Sequence, residues 1–426
     1  MILEVTKRLI AFDEPTMHIV HDNANRENGD HGLMPETHDM TSSVLGPGPI
    51  LSSISSIQLE IFTNMLGQPE FLGDGARTGL MEFVKNIFTT SNALAIYGPE
   101  NPFVVHPDLV NDFWSYENGM LPLLADICPA ITARKPYLAR KRMLKGLQEF
   151  VETERYKKAS TLIQQRVSIN LKHGLTTKMA GNAELIMLFG IIGNAVPTTF
   201  WLLANIFSRP ALLAELRQEA EKAVIRKDQE AIVSVNMLKT SCPLLVSAYR
   251  ETLRTISNTS SVRYVLEDTL IANKYLLKKN SIVQIASGVI HVDENVWGAD
   301  AATFNPRRFI SSSSNNNTEQ FSTGSGAAGS QTATQLPKNV PSAAYRAFGG
   351  GSVICPGRHF AQNEIVGFAA LMLLAFDVTT EDGGVIGLPE KDDRRIPLGV
   401  MKPAKDVRVR IRRREASEWM RWGLEL

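Results

Sequence analysis

The sequence predicts a mainly α-helical fold with small β-sheets. Three observations carry that expectation. Apolar residues recur at helical intervals through most of residues 50–255, strand-like alternation is confined to short runs in the last 170 residues, and one polar low-complexity tract interrupts the second half.

The first strong helical run is SSISSIQLEIFTNMLG, with serines suited to N-capping and Ile57, Ile61 and Leu66 near helical intervals. Further runs follow at Arg77 to Ile96, Leu109 to Ile127, Pro136 to Leu171, Ala183 to Phe207 and Pro243 to Ile256. Alternation then predicts strands in SVRYVLED, in YLLKKNSIVQIAS and in VRVRIR, where Val407, Val409 and Ile411 share a face. Ser311 to Pro337 is rich in Ser, Asn, Gly, Thr and Gln and nearly devoid of apolar side chains, so it is expected to be a disordered surface insertion. The run IVGFAALMLLAF predicts a last helix that starts near Gly357.

Composition narrows the function classes. The 426 residues are 44% hydrophobic, enough for a large core, and the net charge of +1 argues against nucleic acid as a partner. Three cysteines, Cys128, Cys242 and Cys355, make no disulfide framework and point to a reducing, cytosol-facing environment. At the N-terminus, Glu4, Lys7 and Arg8 interrupt any apolar run that could serve as a signal sequence or membrane span.

The most informative stretch is FGGGSVICPGRHFA, Phe348 to Ala361. Gly349, Gly350 and Gly351 let backbone pass close to a flat ligand and accept positive φ without steric cost. Cys355 follows, and the predicted helix behind Pro356 and Gly357 turns its free N–H groups and positive dipole end toward the sulfur, favouring a thiolate. A lone cysteine in a turn is ordinarily a buried structural residue. Here the spacing of Phe348, Gly349, Gly351, Cys355, Gly357 and Ala361 resembles the haem-binding loop of the cytochrome P450 superfamily. The resemblance implies haem (iron protoporphyrin IX) as cofactor, with Cys355 as the iron ligand and Phe348, Gly349, Gly351 and Gly357 shaping the loop. A thiolate ligand pushes electron density onto iron and favours O–O cleavage.

Two other stretches fit the same family. Glu251 and Arg254 in YRETLR share a helix face. Alone this is an ordinary surface pair. FNPRRF follows at Phe304 to Phe309, and the resemblance implies that Arg308 joins the pair in a buried structural triad that holds the Cys loop. Asn182 to Pro210 has the length and apolarity of a membrane span, but Asn194, Pro197, Thr198 and Thr199 at its centre and the amphipathic helices around it favour a buried central helix. Pro197 should kink that helix and free carbonyls upstream.

In this helix most monooxygenases of the superfamily carry an adjacent acid and alcohol. Here Gly193-Asn194 stands in their place, followed by Val196-Pro197-Thr198, which resembles fungal members of the branch containing sterol 7-alpha-hydroxylase and prostacyclin synthase. Asn194 and Thr198 are therefore the catalytic candidates. An amide orients water or a substrate oxygen but does not titrate. Val353 occupies the place where many members carry an Arg for a haem propionate, and Arg263, on the strand after the Glu251 helix, is the first substitute candidate, an ordinary exposed strand Arg being the alternative. Leu398-Gly399-Val400 is expected to reach toward the substrate.

The resemblance covers about residues 12–412 and implies a single cytochrome P450 domain over residues 1–426, with AFDEPTMHIV already well inside it. An N-terminal truncation is therefore expected, without the family's membrane anchor and first strands, leaving sheet edge and apolar surface exposed. By resemblance the location is the cytosolic face of the endoplasmic reticulum membrane. The basic segment CPAITARKPYLARKRMLKG, with Ile131, Tyr137 and Leu138, and the tail residues Trp419 and Trp422 are candidates for peripheral membrane contact, a solvated helix face being the alternative for the first. Two activities follow. One is a monooxygenase using O2, a lipophilic small-molecule substrate (sterol-like, terpenoid or other secondary metabolite) and electrons from NADPH-cytochrome P450 reductase. The other is an isomerase or dehydratase of an oxygenated or peroxidised lipid, kept open by Gly193-Asn194. An inactive haem-binding remnant is the third reading.

Overall fold

The chain is described by a computed structural model for residues 7–310, 334–393, 399–415 and 420–426. Helices dominate. Near the N-terminus are α1 (Glu14–His21), α2 (Leu33–Val44) and α3 (Pro49–Leu66), and strand β1 (Ala76–Gly79) leads into α4 (Leu80–Tyr97). The next helices are α5 (Leu109–Asn118), α6 (Met120–Ala125), α7 (Arg134–Glu152) and α8 (Thr161–Lys172). The 31-residue α9 (Thr177–Phe207) runs through the middle, followed by α10 (Pro210–Ala220), α11 (Val235–Ser241) and α12 (Pro243–Ile256). The last, α13 (Arg358–Ala375), carries the Cys loop at its start.

Several helical expectations are corrected at their ends. The run from Leu109 divides at Gly119, where a Cβ would collide with the Pro136 ring, and the run from Pro136 breaks into α7 and α8 around Glu154 at φ +57°. Arg77 belongs to β1 rather than to a helix. In α3 the serines cap nothing. Pro49, whose fixed φ suits the first helical turn, starts the helix, and Leu51, Ile54, Gln58, Leu59, Phe62 and Leu66 form the buried face while Ile57 is exposed.

Sheet is not confined to the last 170 residues. β1 pairs antiparallel with β9 (Arg408–Arg413), which also pairs with β8 (Phe376–Thr379). The hairpin β2 (Val224–Lys227) and β3 (Glu230–Ser234) takes β10 (Arg421–Glu425) as a parallel third strand. Four-residue strands are too short to show a period, and their pairing partners lie far along the chain. The expected strands do form as β4 (Ser260–Tyr264), β6 (Tyr275–Leu277), β7 (Ile282–Ala286) and β9; β4 pairs with β7, and β6 pairs with β5 (Thr269–Ile271), which the alternation did not predict. These two-stranded sheets expose Tyr264, Leu270, Ile271, Tyr275, Leu276 and Ile282.

The core gathers around α9 and α13. α9 packs on α4, α7, α12 and α13, and α13 also packs on α3 and α10. At the centre, the Phe368 ring lies 5.1 Å from both Phe62 and Phe88, so aromatic contacts tie the Cys-bearing helix to α3 and α4. Among the described residues α9 is the one helix long and apolar enough to cross a membrane (hydropathy 1.7), yet 67% of that window is buried inside the protein. It continues through Pro197.

Most of the low-complexity tract, 311–333, lies outside the described residues, as do Leu398 and Trp419. The last residues of the tract, 334–337, are packed on the protein rather than disordered. Thr334 is buried and accepts two hydrogen bonds from Arg250 Nη1, because the chain there returns to α12. Trp422 is also buried, on β10 with Arg226 5.9 Å above its ring, and is therefore no membrane anchor.

Candidate haem-thiolate site

The Cys loop is closed by its own backbone. Cys355 N–H donates to the Phe348 carbonyl at 2.9 Å, and Gly349 N–H to the Arg346 carbonyl at 3.0 Å. Gly349 and Gly351 sit at φ +77° and +71°, with open space where a Cβ would stand. Gly357 is the N-cap of α13, and a Cβ there would lie 3.7 Å from Cys355 Sγ. Cys355 is reachable by solvent yet closely surrounded by protein. That burial pushes its thiol up, while the N–H groups of Gly357 and Arg358 and the Arg358 charge pull against it. The balance stays raised, so a bound cation such as iron is what would complete the thiolate.

The two residues that precede Cys355 by one and two are apolar and exposed. Val353 is 55% and Ile354 39% exposed. On α9, buried along most of its length, Ile186, Met187, Phe189, Gly190, Ile191 and Asn194 form an accessible face, and a Cβ at Gly190 would meet nothing within 4 Å. Positive-φ glycines open to space, an accessible cysteine at a helix start and an apolar stripe on the neighbouring helix suit a flat, hydrophobic macrocycle ligated by sulfur.

The structure brings Glu251, Arg254 and Arg308 together. Arg254 makes a bidentate pair with Glu251 at 2.8 Å for both bonds, and both side chains are fully buried. Its remaining donors reach the carbonyls of His291, Ala301 (2.7 Å) and Thr303 (3.1 Å). Arg308 Nε donates to both Glu251 oxygens at 3.1 and 3.2 Å, and its Nη1 to Asp300 at 2.8 Å. Asn305 N–H adds a further bond to Glu251 at 2.9 Å. Such saturation is what makes a buried ionic cluster tolerable. It joins α12 to the segment 291–308 ahead of the Cys loop.

On α9 the two candidates differ. Asn194 is half-buried, and its Oδ1 accepts from Val400 N–H at 3.1 Å, which leaves the amide NH2 as the free donor by hydrogen-bond assignment. Any side chain at Gly399 would run into that Oδ1. Thr198 is buried, and its Oγ1 donates to the Asn194 carbonyl at 2.7 Å, so its hydroxyl is spent on its own helix. Arg263 stands exposed on β4 and donates to its neighbour, the Val262 carbonyl, at 3.0 Å.

Sequence reasoning missed two features here. Arg346, two residues before Phe348, has its backbone N–H on His291 Nε2 at 2.9 Å and its Nη2 on Ser261 Oγ at 3.3 Å. Inside α13, Glu364 is buried and accepts from Gln58 at 2.7 Å and Asn92 at 3.0 Å. No cation pairs with it among the described residues, and burial pushes its carboxyl up to about 8. No short motif announces either, since each depends on partners far away in the chain.

A fold organised around a central helix and a Cys-bearing helix, with the buried Glu-Arg-Arg cluster between helix and loop, defines a haem-thiolate class of protein. Residues 108–409 match the family model described as Cytochrome P450, and the chain belongs to that family. It is 32% identical over 352 residues to a cytochrome P450 monooxygenase of Gibberella zeae, covering 80% of this chain and 64% of that protein. Cytochrome P450 monooxygenase nodJ of Hypoxylon pulicicidum is 28% identical, covering 82% of this chain and 65% of that protein. Cholesterol 7-alpha-monooxygenase of Cricetulus griseus is 24% identical, covering 86% and 73%. The chain thus spans just under two thirds of the length of the two fungal relatives.

Proposed function

We propose that the chain is a haem-thiolate monooxygenase that inserts one oxygen atom from O2 into a lipophilic substrate, sterol-like, terpenoid or another secondary metabolite. The observation that carries this reading is the Cys355 loop: an accessible cysteine with positive-φ glycines before it, just ahead of α13, a helix that packs against α9. Haem is the cofactor of this family, and Cys355 with the Phe348 to Gly357 loop would hold it; when bound, it supplies oxygen activation. The rest falls to side chains. Ile186, Met187 and Ile191 offer apolar surface to a lipophilic molecule, and the Asn194 NH2, oriented by Val400, donates a hydrogen bond to a water or substrate oxygen.

The relatives' names support the monooxygenase over the isomerase, and the cholesterol named for the Cricetulus griseus enzyme supports a sterol-like scaffold. Electrons would come from NADPH-cytochrome P450 reductase at the endoplasmic reticulum membrane. Ile127 and Ile131, 68% and 81% exposed beside the basic start of α7, offer a peripheral contact with anionic lipid.

The test is a reduced, CO-bound difference spectrum of the 426-residue chain and of Cys355→Ala, followed by NADPH consumption with and without reductase. The reading expects a red-shifted thiolate band that Cys355→Ala abolishes, and substrate-dependent NADPH use only with reductase. Product from a lipid hydroperoxide without NADPH would select the isomerase instead, and an absent thiolate band would overturn the site.

A further inference from the structure

Arg346 is a cation that the protein leaves unfinished. A guanidinium carries five N–H donors. For Arg346 the described residues supply one acceptor, Ser261 Oγ at 3.3 Å, and no carboxylate. Its Nε is buried without a hydrogen-bond partner. The nearby ring of His291 brings no negative charge. It accepts the Arg346 backbone N–H, and burial together with the Arg254 charge pushes it down to about 4, so it is neutral at physiological pH.

The position of the group is set by the Cys loop itself. A Cβ at Gly350 would lie 3.0 Å from Arg346 Nη1 and 3.4 Å from Cζ, so the guanidinium rests against the glycine arm that precedes Cys355. Its partner Ser261 is on β4, two residues before Arg263, and residues two apart on a strand share a face. Arg346 therefore stands between the loop that carries the sulfur and the strand face that carries Arg263. An exposed valine, Val353, precedes Cys355 by two and offers no charge.

We infer that Arg346 is the half-buried haem-propionate donor of this chain, pairing through its open guanidinium edge with a carboxylate of the macrocycle. The inference rests on the haem-thiolate reading of Cys355. A planar, permanently charged fork is suited to a carboxylate, and an uncompensated, partly buried cation gains most from an anionic partner. Arg263, being exposed, contributes the weaker, screened interaction.

The experiment uses the full chain as holoprotein and reads haem transfer to apomyoglobin, with Arg346→Ala, Arg346→Lys and Arg263→Ala, each loaded with haem or with haem dimethyl ester. The expected result is haem loss at least tenfold faster for Arg346→Ala, with the thiolate CO band retained, partial recovery in Arg346→Lys, and a smaller change in Arg263→Ala. Esterification should accelerate loss from the wild type and leave Arg346→Ala nearly unaffected. Equal sensitivity to the ester in wild type and Arg346→Ala, or haem retention unchanged by Arg346→Ala, overturns the inference while Cys355 stands. If Arg346→Ala does not fold, Arg346→Gln, which keeps a polar side chain without the charge, takes its place in the ester comparison and decides in the same way. A wild-type chain without a thiolate band removes the haem-thiolate reading and this inference with it.

Discussion

His291 stands between two arginines that the fold treats in opposite ways. On one side its carbonyl accepts from Arg254, whose guanidinium has acceptors for all its donors, among them both oxygens of Glu251. On the other its Nε2 accepts the backbone N–H of Arg346, whose guanidinium finds one acceptor among the described residues. A buried ion that the protein completes belongs to the scaffold, because any missing partner would cost its full desolvation. One left open is available to a ligand. If the propionate inference holds, the contrast separates the residues that hold the Cys loop from those that meet what the loop binds.

Removing Glu251 should break the completed side most severely. Glu251→Ala leaves Arg254 and Arg308 buried without their shared carboxylate, and breaking a buried pair in this way costs about 3–5 kcal/mol. The expected outcome is a large fall in the urea midpoint or no folded protein, with or without haem. A stability within about 1 kcal/mol of wild type would show that the cluster does not carry the scaffold.

Glu364 sharpens the comparison because it is partly completed. Gln58 and Asn92 both donate to its Oε2, while their own amide oxygens are buried without partners, and turning the Gln58 amide over would set its oxygen to accept the proton of a neutral carboxyl. Its folded-state pKa of about 8 lies above its ordinary value of 4.5, so the folded chain holds a proton that the unfolded chain releases between those limits. This contribution to stability is full below about pH 4.5 and declines as pH rises toward 8, at up to about 1.4 kcal/mol per pH unit. Glu364→Gln keeps the donors' partner but cannot ionise. Urea titrations at pH 5, 6, 7 and 8 should show a flatter profile for the variant, and equal slopes would mean that Glu364 is already ionised in the folded protein.

What the sequence revealed follows the same division. The Cys loop and the Glu251, Arg254 and Arg308 set were legible because their spacing is local or tied to a recognisable order, and the long apolar helices because their period repeats many times. Arg346 was not, since its importance lies in Ser261 and His291, 85 and 55 residues away, and in a guanidinium edge that nothing fills. The short strands β1 to β3 and β10 were hidden for a related reason: each becomes a strand through its partner, as Ala76 does opposite Ile411. Within α9 the residue types were readable but not their assignment to the open or the packed side.

That last distinction yields the smallest expected effect and the finest test. Thr198 and Asn194 are one turn apart, yet the Thr198 hydroxyl is bound to the Asn194 carbonyl and the Asn194 NH2 is free. Thr198→Val keeps the shape and removes a hydroxyl whose acceptor already sits in the helical ladder, so stability should change by less than about 1 kcal/mol. Turnover and product ratio should stay near wild type, because the lost group faced its own backbone. Asn194→Ala, by contrast, removes both the Val400 tether and the free donor, and should change product ratio or coupling of NADPH use to product while haem remains bound. If Thr198→Val disturbs product as strongly as Asn194→Ala, the Thr198 hydroxyl turns outward during the reaction and the division of α9 into a working and a packed face is wrong.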